Sequence, residues 1–318
     1  MMDWTDRHCR YFLRQVSSSA FLYTEMITAG ALLHGNVERH LAFSAEEHPV
    51  AAQLGGSEPA DLAKCARLVE QYGYDEVNLN IGCPSERVQR GAFGACLMAE
   101  PQLVADCVRA MRAAVKIPVT VKHRTGLNAI EDFHFMERFV GTLAEAGCRT
   151  FIVHARNAVL KGLSPKQNRE LPPLRYEQVY RLKKVFPALE IVINGGISSW
   201  SAIDRHIVHV DGVMLGRAAY HDPWVLADPG KSRRDVAVAM HAYAKQALSK
   251  ETLLRHVAGH MLGLYHGHRR ARLWRRMLSD PARLSQNDPA LLLEAMEAAE
   301  SGTCQEMPDE RRTQVQPG

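Results

Sequence analysis

The stretch "NLNIGCPSERVQRGAFGACLM" (78–98) places a cysteine where an apolar/polar alternation gives way to a polar, glycine-containing segment. A structural cysteine belongs in a core. Cys83 stands instead where a buried strand ends, within reach of whatever binds there. A thiol in that position can be a nucleophile or a proton donor. Thiols are mostly protonated at neutral pH and so have a proton to give, whereas nucleophilic attack wants a neighbouring base that the sequence does not place. A purely structural cysteine is the third reading. Pro84 stiffens the start of the loop, and Gly91 and Gly94 suit a loop that moves to close on a substrate.

Other strand ends carry chemistry too. Thr24-Glu25-Met26, Gln53, Asn78–Asn80, Lys122-His123-Arg124, His154-Ala155-Arg156, Asn194-Gly195-Gly196 and Gly216-Arg217 each close an apolar run. Solubility alone does not explain polar groups at the same point of every run. A lysine ending an apolar strand must keep its ammonium near an anion or water. Lys122 could stabilise the charge that develops on a flavin accepting hydride, form a Schiff base, or reach out to solvent. His154 could meet a phosphate, act as acid or base, or simply be hydrogen-bonded. The turns "INGGI" and "MLGRA" let backbone N–H groups approach an anion without a Cβ in the way, and "RAAYHDPWVL" after Gly216 can open a short helix whose start favours phosphate. Ordinary turn glycines are the alternative. No carboxylate cluster supports a metal site.

These groups need a scaffold that gathers strand ends. Seven strand candidates run over 20–26, 49–55, 75–82, 117–124, 149–156, 189–196 and 210–217, separated by helical patterns such as "EPADLAKCARLVEQYG", "PQLVADCVRAMRAAV" and "DFHFMERFVGTLAEAG". Near-continuous apolar strands alternating with amphipathic helices imply a parallel sheet covered by helices. A (β/α)8 TIM barrel, with its functional groups at the C-terminal strand ends, needs eight strands. The first visible element, "TDRHCRYFLRQV", reads as a helix with no strand before it, so the expected barrel lacks its first strand and that strand is expected to precede Met1. An open doubly wound sheet is disfavoured, because no G-x-G-x-x-G follows an early strand. After Ala227 the pattern turns all-helical. The expected organisation is a catalytic barrel over 1–230, a helical domain over 231–300 and a polar, disordered tail over 301–318.

The 318 residues carry a formal net charge of +4 and seven cysteines. An odd cysteine count without C-x-x-C argues against a disulfide framework or a closed zinc site. No apolar run approaches the ~20 residues of a membrane helix, and "MMDWTDRHCRYFLRQ" has no signal-peptide core, which makes the cytoplasm the default compartment. The mild charge is uneven: "HGHRRARLWRR" (266–276) is arginine-rich. Arg272 and Arg275 are three apart and share a helix face, which suits RNA backbone. Trp274 offers a stacking surface, and a solvated basic helix is the alternative.

Taken in order, "MMDWTDRHCRYFLR", "YTEM", "HPVAAQLGG", "DEVNLNIGCPSERVQRGAFGACLM", "PVTVKHRTG", "FIVHARNAVLKGLSPKQNRELPPL", "INGGI" and "DGVMLGRAAY" closely resemble the tRNA-dihydrouridine synthases, with "GLSPKQNRELPPL" and "HMLGLYHG…ARLWRR" similar to the A subgroup. The resemblance runs from Met1 to about Ala299. It implies an FMN enzyme that uses NADPH to reduce the C5–C6 bond of uridine in the tRNA D-loop, at positions 20 and 20a for this subgroup. It further implies that Cys83 protonates C5 while hydride goes to C6, and that Met1, Gln53, Lys122 and His154 hold FMN. Asn194, Gly195, Gly196, Gly216 and Arg217 would hold its phosphate end. Asn80 would contact the substrate nucleotide, and Asn168, Arg169, Arg272 and Arg275 would meet tRNA. A monomer without metal is expected.

One departure stands out. Family members carry a strand ending in an Ala-Pro-Met-type sequence before "DWTD", against the flavin. Here only "MM" precedes it, and a misassigned start is the expected cause. Two alternatives remain: another FMN barrel acting on a small pyrimidine, of the dihydroorotate or dihydropyrimidine type, and a non-catalytic tRNA-binding protein.

Overall fold

The computed structural model describes residues 1–130 and 132–301. The expected tail beyond Ser301, with Cys304, lies outside the described residues. All seven strands form where the apolar runs predict them: β1 (Leu22–Thr28), β2 (Val50–Gly55), β3 (Glu76–Ile81), β4 (Val119–Arg124), β5 (Thr150–His154), β6 (Glu190–Asn194) and β7 (Gly212–Met214). They pair in parallel in strict chain order. The result is a curled half-barrel rather than a closed one, with β1 and β7 as its edges.

The two faces of the strands carry different chemistry. In β3 the outward residues Val77, Leu79 and Ile81 are fully buried, whereas the alternate positions carry Asn78 and Asn80. Helices cover the apolar face. In the Pro59–Gln71 helix Leu62, Cys65, Ala66 and Val69 are buried; in Pro101–Ala114, Val104, Ala105, Val108 and Met111; in Phe133–Glu145, Met136, Phe139, Val140 and Leu143. The three-to-four residue spacing puts each set on one helix face, and each large apolar side chain so buried contributes about 1.5–3 kcal/mol. Proline at the first turn of the Pro59 and Pro101 helices costs nothing there, because those N–H groups have no intrahelical partner. His123 belongs to the outward set. It is fully buried and its ring packs on Phe139 and Phe151, so it faces the helix layer and not the site.

The Arg7–Val16 helix is held by two buried arginines. Arg10 Nε meets Glu47 at 2.6 Å, and Arg14 donates to the carbonyls of Ser17, Ser18, Ala20, Glu47 and Pro49. Guanidinium donors replace the missing backbone partners of that irregular stretch.

The chain divides into two compact units, Met1–Lys231 and the part from Ser232 onward. The second is built from helices Arg233–Leu248, Leu254–Ala258, Ala271–Leu278, Pro281–Ser285 and Ala290–Glu300. Its core holds Met240, Leu292, Met296 and Trp274. Trp274 is 0 % exposed, its Nε1 donates to the Met261 carbonyl at 2.9 Å, and its ring centroid lies 4.7 Å from that of Tyr265. The stacking surface expected of Trp274 is therefore absent: its ring is the centre of this unit's core.

Candidate active site

Strand register decides which side chains meet. Gln53, Asn78 and Thr120 are register partners across β2, β3 and β4; Asn80 pairs with Lys122; Arg124, His154, Asn194 and Met214 align across β4 to β7. Because residues two apart share a face of a strand, Asn78 and Asn80 line the concave side together, as do Thr120, Lys122 and Arg124.

The floor of the site is a connected amide network. Gln53 Nε2 donates to Asn78 Oδ1 at 2.9 Å, and Asn78 Nδ2 donates to Thr120 Oγ1 at 2.8 Å. Thr120 Oγ1 donates in turn to Glu76 at 2.6 Å, which also accepts from Tyr23 OH at 3.0 Å. Burial raises the Glu76 carboxyl above its ordinary range while these two hydroxyls pull it back. Buried polar groups satisfied in this way form a rigid base.

Above the floor stands the cysteine. Asn80 Nδ2 donates to Gln53 Oε1 at 2.7 Å, and Asn80 Oδ1 accepts from the backbone N–H groups of Gly82 and Cys83, both at 3.0 Å. Asn80 thus fixes where β3 ends and where the thiol begins. Cys83 is half-buried, its Sγ 3.5 Å from Ser85 Oγ. Cys9, Cys65, Cys107 and Cys148 are buried; among the described cysteines only Cys83 and Cys96 are not.

Across the site, Lys122 Nζ donates to Asn194 Oδ1 at 3.2 Å, and Asn194 Nδ2 donates to the Met214 carbonyl at 2.7 Å. Burial, reinforced by neighbouring Arg124, pulls the Lys122 ammonium down to about 7. Burial likewise lowers Arg124 to about 10. It pushes His154 well below its ordinary value, with Arg124, Lys122, Arg156 and Arg169 adding to the effect, so His154 is neutral at pH 7. These cations depress one another. On the same rim Glu170 lies 2.6 Å from Arg217, and the half-buried Glu25 carboxyl lies near the Met1 amine. A rim of cations short of counter-charge fits an anionic ligand.

The glycine turn is shaped for such a ligand. Gly195 and Gly196 both have positive φ, +115° and +71°. A Cβ on Gly195 would come within 2.6 Å of His154 Cδ2, and one on Gly196 within 3.0 Å of Tyr176 Oη. Tyr176 OH donates to the Gly195 carbonyl at 2.7 Å. The Arg217–His221 helix forms after Gly216, where the sequence places it. Met1, 37 % exposed, has its sulfur 3.6 Å from where a Gly216 Cβ would lie.

The expected site residues thus fall into two groups. Met1, Gln53, Asn80, Cys83, Lys122, His154, Asn194, Gly195, Gly196, Gly216 and Arg217 gather on the concave rim, and Arg169 is exposed on the loop that supplies Glu170. Arg272 and Arg275 are exposed on the Ala271–Leu278 helix of the second unit. Asn168 differs from expectation. It is 0 % exposed; its Nδ2 donates to the Val159 carbonyl at 2.9 Å and its Oδ1 accepts from Val159 N–H at 2.8 Å. Its amide is spent on folding the 157–169 loop and is buried away from the surface. Tyr176, Thr120 and Gln89 carry no signal in spacing or composition, because their partners are backbone or distant in sequence. Among the described residues no group of three or more His, Cys, Asp or Glu side chains is placed to hold a metal.

A curled parallel sheet with a rim thiol, a buried amine and a cationic glycine turn at its strand ends is the arrangement of a barrel-type enzyme. The chain belongs to the dihydrouridine synthase family, whose model matches residues 1–304. It is 55 % identical over 289 residues to the tRNA-dihydrouridine(20/20a) synthase of Pseudomonas putida, covering 88 % of this chain and 86 % of that protein. It is 53 % identical over 308 residues to that of Synechocystis sp., covering 94 % and 92 %. Among solved structures, 2-naphthoyl-CoA reductase in complex with 2-naphthoyl-CoA shares the fold with a TM-score of 0.52 at 10 % identity, over 71 % of this chain and 46 % of that one.

Proposed function

We propose that this protein reduces uridine to 5,6-dihydrouridine in the D-loop of tRNA, at positions 20 and 20a, with FMN as cofactor and NADPH as reductant. Bound flavin, once reduced, would supply the hydride for C6. Cys83 gives its proton to C5. Gln53, Lys122 and His154 hold the flavin, and Asn194, Gly195, Gly196, Gly216 and Arg217 hold its phosphate, with Met1 alongside. Neutral His154 offers a hydrogen bond without adding charge, whereas Lys122 and Arg217 supply the positive charge an anionic cofactor needs. Asn80 meets the substrate nucleotide. A uracil inside folded tRNA must be drawn out into the pocket, so the backbone needs basic contacts; Arg169 and, in the 231–300 helical domain, Arg272 and Arg275 serve there. The protein works as a monomer in the cytoplasm. No helix among the described residues is long and apolar enough to cross a membrane.

The observation that carries this reading is the hydrogen-bonded line from Cys83 N–H through Asn80 to Gln53. It ties the proton donor directly to a residue assigned to the cofactor, at the mouth of a cationic rim. The test is mass spectrometry of unmodified tRNA incubated with the protein, FMN and NADPH. A gain of two mass units at D-loop uridines is expected. Flavin turnover with free pyrimidines and unaltered tRNA would overturn it.

A further inference from the structure

Three successive backbone carbonyls belong to Cys83 and its chain neighbours: Gly82, Cys83 and Pro84. Each is held. Gly82 O accepts from Arg124 Nε at 3.0 Å, Cys83 O from Ala95 N–H at 2.9 Å, and Pro84 O from Gln89 Nε2 at 2.8 Å. The middle tie is internal to the loop and depends on Gly94, whose φ is +76° and whose Cβ would lie 2.6 Å from Cys83 O. The outer two reach further. Arg124 Nη1 also donates to the carbonyls of Asn168 at 3.0 Å and Asn157 at 3.4 Å. Gln89 Nε2 spends its second hydrogen on Leu160 O, also at 2.8 Å, 71 residues away. Both neighbours of Cys83 are therefore strapped by side chains that hold the same second loop, 157–169. That loop is itself fixed: Leu160 N–H donates to Asn128 Oδ1 at 2.9 Å, and buried Asn168 organises the rest.

We infer that Gln89 is a positioning residue for the proton transfer: its carboxamide clasps the Cys83 loop to the 157–169 loop and so sets where the thiol stands when tRNA engages Arg169. The inference rests on the function proposed above. A primary amide suits this task because one nitrogen carries two hydrogens that reach two carbonyls at once. A thiol displaced by about 1 Å loses the near-attack geometry that proton transfer requires, at a cost of up to about a hundredfold in rate. On this inference the clasp acts on the proton transfer and not on flavin reduction.

The test uses holoenzyme and separates the two half-reactions by stopped flow. In Gln89→Ala, bleaching of the flavin by NADPH is expected to stay within about twofold of wild type. Reoxidation by tRNA is expected to slow at least about tenfold at saturating tRNA, the tRNA KM moving much less. Gln89→Glu keeps the size but presents a carboxylate to two carbonyls, and should be at least as slow. The inference is overturned if Gln89→Ala reoxidises within twofold of wild type, if Gln89→Glu restores the rate, or if both half-reactions and the flavin content fall together. Wild-type enzyme and Cys83→Ala run in parallel keep the two claims apart. Wild type that forms no dihydrouridine refutes the function itself, whereas active wild type beside an equally active Gln89→Ala refutes only the clasp.

Discussion

Lys122 Nζ lies 3.2 Å from Asn194 Oδ1, reaching from β4 to β6 past β5. A neutral amide is a poor answer to a buried ammonium, and burial pulls Lys122 down to about 7. Between that value and its ordinary pKa near 10.5, the unfolded chain binds a proton that the folded one does not. Cofactor-free protein should therefore gain stability as pH rises from about 7 toward 9, above which the buried thiols of Cys9, Cys65, Cys107 and Cys148, pushed up by burial, act in the opposite direction. Anionic cofactor should raise the Lys122 pKa and flatten that slope. Thermal melts of cofactor-free and FMN-loaded protein at pH 7 and 9 check this. Lys122→Met should reduce the slope to the part below about pH 8 that the buried Met1 amine, lowered to about 6, contributes, and weaken FMN binding at least about tenfold; an unaltered slope in that variant would assign the effect to another group.

Cys83 is half-buried beside Ser85, its backbone pinned by Asn80. Removing the thiol should leave the floor network and the cradle intact. Cys83→Ala is expected to bind FMN and oxidise NADPH normally but to form dihydrouridine about 10²–10⁴-fold more slowly, the usual worth of a positioned general acid. Quantitative nucleoside mass spectrometry reads this, and wild-type product formation would reject the acid role.

Much of this arrangement is legible in the chain, and the reason is periodicity. The central strands β2 to β5 show as apolar runs because both of their faces are largely buried. Cys83, Lys122 and the Gly195-Gly196 turn stand out because a reactive or permissive residue breaks such a run at its end. What stays hidden depends on three dimensions. Trp274 looks like a stacking surface in an arginine-rich segment, yet the 3.6-residue period turns it inward while Arg272 and Arg275 face solvent. Asn168 looks like a polar loop contact, and only the folded loop reveals that its amide is consumed by Val159. Tyr176 is found only when the Gly195 carbonyl it serves is in view.

Gly195 combines a φ of +115° with a Cβ position 2.6 Å from His154 Cδ2. Gly195→Ala must strain the backbone and displace the ring, at a cost of about 1–3 kcal/mol. FMN affinity should fall at least tenfold with the turn distorted. Adding His154→Ala removes the ring but not the backbone strain, so the double variant should recover only part of the lost stability. Denaturant melts and flavin fluorescence titration decide it.

Arg217 carries the last consequence. Its guanidinium is assigned to the cofactor phosphate, yet it lies 2.6 Å from Glu170, with Nη2 donating to the Arg169 carbonyl at 3.3 Å. Both side chains are partly exposed, 37 % and 42 %, and such a pair contributes about 0–1 kcal/mol to folding. The two anions must compete for one cation. Glu170→Gln should therefore leave Tm within a degree or two while tightening FMN binding about two- to fivefold, more at low salt because the competing charges are exposed. Arg217→Met should weaken FMN binding and erase the difference between Glu170 and Gln at that position. Titrations at low and high salt check both. Equal affinity in wild type and Glu170→Gln would mean that the carboxylate moves clear of Arg217 when phosphate arrives, and that Glu170 has no part in setting cofactor affinity.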